Sequence, residues 1–172
     1  MRLTTLALLF AVVCAASPAA AQNAPPPRKT TTLVYHALTG AELETILRGA
    51  GYDQFERASD KQLNLTAPDG FKFSITQTVC DVEGEPEGCL GVSVQATWTL
   101  KVSDGEILIP VIDRFNADYS YGKAVLFEDY ALLERYVITD GGVTPAHISR
   151  EVDQFLSMTS VFEAALAEAL PQ

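Results

Sequence analysis

The chain has 172 residues, 48% of them hydrophobic and 20% charged, with 22 acidic against 12 basic side chains and a formal net charge of −10. Such an acidic surface gains nothing by releasing the counterions of a nucleic acid, and anionic membrane surfaces repel it for the same reason, so neither is an expected partner. The length suits one domain with a core that hides roughly two thirds of the unfolded surface.

Arg2 precedes the apolar run "LTTLALLFAVVCAA", and "SPAAAQ" follows, with Ala19 and Ala21 as the small residues that signal peptidase accepts. Residues 1–21 therefore read as a secretory signal cut before Gln22. The run is short of the roughly 20 apolar residues that span a bilayer, so the processed chain is expected in the periplasm or secreted, free of the membrane. Cys14 sits behind "AVV", inside the apolar stretch, where a lipoprotein signal would place a small residue instead. Residues 22–32, "QNAPPPRKTTT", read as a linker that Pro25, Pro26 and Pro27 hold extended, leaving one domain over residues 33–172.

The domain opens with a helix in "LTGAELETILRGAGY". Thr39 and Glu42 form a capping box, Leu43, Ile46 and Leu47 share a face, and Gly49 and Gly51 can end the element. Strands are expected at "YDQFERAS" and "QLNLT", with a turn at Asp69-Gly70. In "DGFKFSITQTVC" the apolar residues Phe71, Phe73, Ile75 and Val79 recur with the two-residue period of a half-buried strand, and Leu90, Val92, Val94, Ala96, Trp98 and Leu100 do so in "LGVSVQATWTL".

Cys80 and Cys89 bracket the loop between these two strands. Placed opposite each other in a hairpin, they set Val79 against Leu90, Ile75 against Val94, Phe73 against Ala96 and Phe71 against Trp98, apolar on apolar throughout. In an oxidising compartment the two should form a disulfide. Asp81, Glu83, Glu85 and Glu87 between them match no calcium-loop spacing and read as a solvated hairpin tip. His36 and His147 are too few for a zinc site of the usual kind, and both read as surface residues.

A second helix is expected in "EILIPVIDRFNADYS", where Leu108, Val111, Ile112 and Phe115 fall at helical spacing and Pro110 belongs in the first turn. Strands in "YGKAVLFED" and "ALLERYVITD" follow, joined tightly near Asp129. Gly141-Gly142 breaks the chain, and Thr144-Pro145 caps a long final helix whose stripe is Ile148, Val152, Phe155, Thr159, Phe162 and Leu166. The order α-β-β-β-β-α-β-β-α gives an α+β fold with helices segregated against a mostly antiparallel sheet. Asn116 is expected to close the second helix, Lys123 to pair with an acid, and Trp98 to sit in the core opposite Phe71.

Across residues 33 to 168 the chain resembles the YbjN-domain family, small bacterial proteins whose fold is similar to that of type III secretion chaperones. The resemblance rests on "LTGAELETILRGAGY", the paired cysteines, "IDRFNADYSYGKAVL" and "YVITDGGVTPAHISREVDQFLSMTSVFEAAL". Phe115 and Asn116, then Tyr121, Gly122, Lys123 and Ala124, match the family's aromatic-Asn, aromatic-small-basic-small signature. Gly142, Val143 and Thr144 match the start of its last helix. Phe115 stands where the family commonly has Trp, and "EDYA" replaces its usual turn between the last two strands. The resemblance implies a regulator without cofactor or established catalytic residues, binding another polypeptide through the sheet or by dimerisation, with Phe115, Asn116, Tyr121 and Lys123 as candidate interaction or signature residues. No nucleophile elbow or phosphate loop points to an enzyme. The alternatives are a small-ligand sensor and a small hydrolase using a carboxylate pair, which no spacing selects.

Overall fold

The computed structural model of the chain describes residues 32–170. The expected secretory signal, and residues 22–31 of the expected linker, lie outside the described residues. Among the described residues the order of helices and strands is the expected one, with one 3₁₀ turn at Val102–Asp104 before the second helix.

Helix α1 (Gly40–Gly49) begins at Thr39, whose N–H and hydroxyl both donate to Glu42 Oε2 while Oγ1 accepts from the Glu42 N–H. Gly51, at φ +91°, takes the left-handed conformation that lets the chain turn back just past the helix. Strands β1 (Phe55–Ser59), β2 (Gln62–Thr66), β3 (Lys72–Cys80) and β4 (Cys89–Thr99) follow, then α2 (Gly105–Asp118), β5 (Lys123–Leu126), β6 (Tyr130–Ile138) and α3 (Pro145–Ala169). The strands form one antiparallel sheet in the order β1-β2-β3-β4-β6-β5.

The β3–β4 register is the one that opposing cysteines require. Ile75 pairs with Val94, Thr78 with Gly91 and Cys80 with Cys89, whose Sγ atoms are 2.09 Å apart. The alternation fails at one place. Val79 adopts φ +53°, a conformation that a β-branched residue rarely takes, and its side chain stands in solvent instead of meeting Leu90. Asp81 is also left-handed, so the hairpin twists on either side of Cys80. At Cys89 the chain before α1 replaces β6 as the neighbour of β4, with Leu38 and Cys89 exchanging both backbone hydrogen bonds. Gln77 occupies the inward position between Ile75 and Val79, and its buried amide donates to Leu38 O at 2.6 Å.

The helices cover one face of the sheet. Phe73, Ile75, Val92, Val94, Ala96, Leu133 and Val137 project from it against the α3 stripe of Ile148, Val152, Phe155, Phe162 and Leu166, to which Met158 is added. Helix α3 starts as expected, Thr144 Oγ1 accepting from the His147 N–H at 3.1 Å with Pro145 in the first turn. Pro110 departs from expectation. Helix α2 extends back to Gly105, so the proline stands in its second turn and removes the hydrogen bond to the carbonyl four residues earlier. Trp98 is only half-buried, packing on Phe162 and Phe71 while its indole N–H donates to Glu163 at 2.9 Å.

Candidate interaction surfaces

The signature residues divide between core and surface. Phe115 is buried on the inner face of α2, its ring 4.8 Å from that of Tyr119 and 4.9 Å from that of Phe162. Asn116 does not close its own helix. Its amide reaches β5, where Nδ2 donates to Ala124 O at 2.9 Å and Oδ1 accepts from the Ala124 N–H at 2.8 Å. A side-chain amide carries the same donor and acceptor as a peptide group, so Asn116 binds the outer side of β5 as a neighbouring strand would.

Tyr121 is exposed and lies beside Arg135, whose guanidinium donates to the Tyr121 carbonyl and stands 5.8 Å from its ring. Lys123 is exposed on the face away from the helices. It is the register partner of Glu134 yet makes no ion pair among the described residues, contrary to the expected pairing. The four signature residues therefore do not converge on one point.

Sequence reasoning missed a polar cluster under α3. Arg135 occupies a helix-facing position of β6 between Leu133 and Val137 and pairs with Glu151, both side chains being largely buried. Its Nη2 donates to Gln154 Oε1 at 3.1 Å, and His147 Nε2 lies 3.6 Å from the other Glu151 oxygen. A lone arginine at an inward register position of an apolar strand was the available signal. Nearby, Tyr52 donates its hydroxyl to Asp153 at 2.7 Å. Burial, followed by that hydrogen bond and the aspartate's charge, raises its phenol far above the usual range.

Two surfaces stand open among the described residues. Between α2 and α3 runs a hollow of about 560 Å³, with Pro110, Val111, Phe115, Val161 and Ala165 along it and Arg114, Asp118 and Glu168 among its charged residues. Phe115 of the signature forms part of this groove. The second surface is the outward face of the sheet. Over β1–β4 it holds a shallow hollow of about 790 Å³ lined by amides and hydroxyls such as Gln62, Asn64, Thr66, Ser74 and Gln95. Over β5 and β6 the same face turns apolar. Among the described residues no three His, Cys, Asp or Glu side chains gather as a metal site, and no helix is long and apolar enough to cross a membrane.

Against known proteins, residues 39–168 match the YbjN family, described as "Putative bacterial sensory transduction regulator". The chain belongs to the YbjN family. A crystal structure of YbjN from E. coli, described as "a putative transcription regulator", superposes with a TM-score of 0.58 at 22% sequence identity. The match covers 75% of this chain and 93% of that one, a likeness of fold. No curated protein matches. Membership fits a regulatory module of coarse type, and the α+β fold with its antiparallel sheet is common to both chains.

Proposed function

We propose that this YbjN-family chain is an exported, non-catalytic module that regulates or chaperones another polypeptide in the periplasm or outside the cell. The observation that supports the reading is the α2–α3 groove. An apolar trough with charged residues of both signs along it suits the apolar face of an amphipathic helix, whose anchors recur three and four residues apart. The signal-like residues 1–21 support export.

A photo-reactive residue replacing Val161, which lines the groove and is exposed, tests the binding reading in the source bacterium. One discrete adduct, lost when Ala165→Glu is added, is expected. Adducts that persist with Ala165→Glu, or none at all, would move the binding surface elsewhere. Export is checked separately by N-terminal sequencing of the periplasmic or secreted chain, which should start at Gln22. A small-ligand sensor is the second reading, favoured by the polar hollow over β1–β4. A saturable rise in Tm with one neutral polar metabolite would mark it.

A further inference from the structure

We infer that the hollow on the outward face of the sheet, over β1–β4, binds a neutral glycan chain of N-acetylated sugars, as in the glycan strands of the bacterial cell wall. The inference rests on the second reading above, in which this hollow takes a neutral polar ligand, and it names that ligand.

The chemistry of the hollow excludes other occupants. Its charged lining residues are one of each sign, Glu56 and Lys72, within a chain of net charge −10, so neither an anion nor a cation is selected. A lipid or an apolar helix would meet amides and hydroxyls where it needs apolar side chains. An extended peptide adds to a sheet at its edge, through unpaired backbone groups. Strands β2, β3 and β4 have neighbours on both sides, so their outward face offers side chains only. The ligand that suits these groups is uncharged and dense in donors and acceptors.

Shape makes it long. A site for a free small molecule encloses roughly 70–90% of its ligand, whereas this hollow of about 790 Å³ is shallow and lined from four strands. One register row, Glu56, Asn64, Ser74 and Gln95, crosses those strands. With strands about 4.8 Å apart the row is about 14 Å long, which linked sugars cover and a single ring does not.

Four side-chain amides select the acetamido group. Gln54, Gln62, Asn64 and Gln95 line the hollow. An acetamido substituent has one N–H and one carbonyl, so a side-chain amide pairs with it by the two-way bond that Asn116 makes with the Ala124 backbone. Much of this capacity is free. The Gln62–Asn64 and Asn64–Glu56 contacts are long, at 3.4 and 3.5 Å. Gln95 Nε2 donates to Glu134 at 3.1 Å, which fixes the amide and leaves its oxygen to accept from a ligand N–H. Beyond β4 the face turns apolar: Thr97 stands beside Leu132, and Thr99 beside Tyr130, whose ring stacks on Phe127 with centroids 4.4 Å apart. A sugar ring carries hydroxyls at its rim and C–H groups on its faces, so a chain leaving the hollow meets groups that suit those faces.

Isothermal titration calorimetry of the full chain, as the cell processes it, with a β-1,4-linked hexamer of N-acetylglucosamine is the test. A Kd on the order of 100 µM is expected. A glucose hexamer of the same linkage lacks the acetamido groups and free N-acetylglucosamine lacks the length, so each should bind at least about tenfold more weakly. Asn64→Leu keeps the side chain's shape without its amide at an exposed position, and should weaken the hexamer at least about tenfold. Val161→Lys in the α2–α3 groove should leave its affinity unchanged. Independently of variants, the side-chain NH₂ signals of Asn64 and Gln95 should shift in ¹H–¹⁵N spectra as the hexamer is added. Purified cell-wall sacculi should sediment the chain in about 0.15 M salt, where charge repulsion is screened beyond about 8 Å. No binding at about 2 mM hexamer, equal affinity for the glucose hexamer, shifts confined to another surface, or a chain that sacculi leave in solution overturns the inference. A saturable rise in Tm with a small polar metabolite and none with the hexamer overturns it too, while sparing the second reading on which it rests.

Discussion

Replacing Asn116 removes the side chain that bridges α2 to the backbone of β5 by a two-way hydrogen bond. Asn116→Ala deletes two contacts of 2.8 and 2.9 Å and leaves the Ala124 N–H and carbonyl without those partners. Each half-buried hydrogen bond contributes about 0.5–1.5 kcal/mol net, and unsatisfied groups cost more, so a loss of about 2–3 kcal/mol is expected. For a domain of this size that lowers Tm by about 5–10 °C. Asn116→Asp separates this account from one in which the residue only closes its helix. An ionised carboxylate still accepts from the Ala124 N–H but sets a second acceptor against the Ala124 carbonyl, so at pH 7 Asp should be about 1 kcal/mol worse than Ala. Protonation supplies the missing donor, which raises the folded-state pKa of the new carboxyl above its unfolded value of about 3.9. The aspartate variant is therefore relatively stable below about pH 4 and loses that advantage as pH rises through the folded pKa. Urea unfolding followed by circular dichroism from pH 3.5 to 7.5 measures both effects. An alanine variant within about 0.5 kcal/mol of the parent, or an aspartate variant more stable than alanine at pH 7, would refute the reasoning.

Arg135→Leu should cost about 3 kcal/mol, because it strands Glu151 largely buried without its partner, while adding Glu151→Leu should recover most of the loss. A double-mutant cycle in urea reads the coupling, and additive costs would contradict it. Tyr52→Phe should cost about 1 kcal/mol at pH 7. Because the Tyr52 phenol is raised in the folded state, its contribution is complete below the unfolded pKa of about 10 and is lost as pH rises through the folded value. Alkaline unfolding of the phenylalanine variant should be correspondingly shallower, and an unchanged alkaline limb would exclude this role. Gly88→Ala places a Cβ 2.7 Å from the Leu38 carbonyl at φ +120°, which should destabilise by about 3 kcal/mol in thermal unfolding.

The sheet was legible because its information is local and redundant. Alternation over Phe71–Ile75 and Val92–Trp98 set the inward faces, and the paired cysteines chose the same register. Caps at Thr39 and Thr144 marked helix starts because orphan N–H groups need nearby acceptors. Val79 was misread since a two-residue period assumes extended φ, and nothing in the composition signals a left-handed β-branched residue. Pro110 was misplaced because burial of Leu108, Ile112 and Phe115 outweighs the hydrogen bond that the proline removes. The partner of Asn116 lies on another element, where only tertiary packing could bring Ala124 to it. The groove escaped notice for the same reason, since it exists only where α2 and α3 meet.

The attachment of Asn116 to Ala124 also limits how sheets can join side by side. β5 is four residues long, and at Ala124 a helix side chain already holds the backbone groups that an incoming strand would need. Lateral growth is obstructed on that flank, leaving β1 as the flank from which the sheet can be extended. A particle with one usable edge can pair once and then has no second end to offer. At Ala124, edge-to-edge growth is therefore opposed by a single amide.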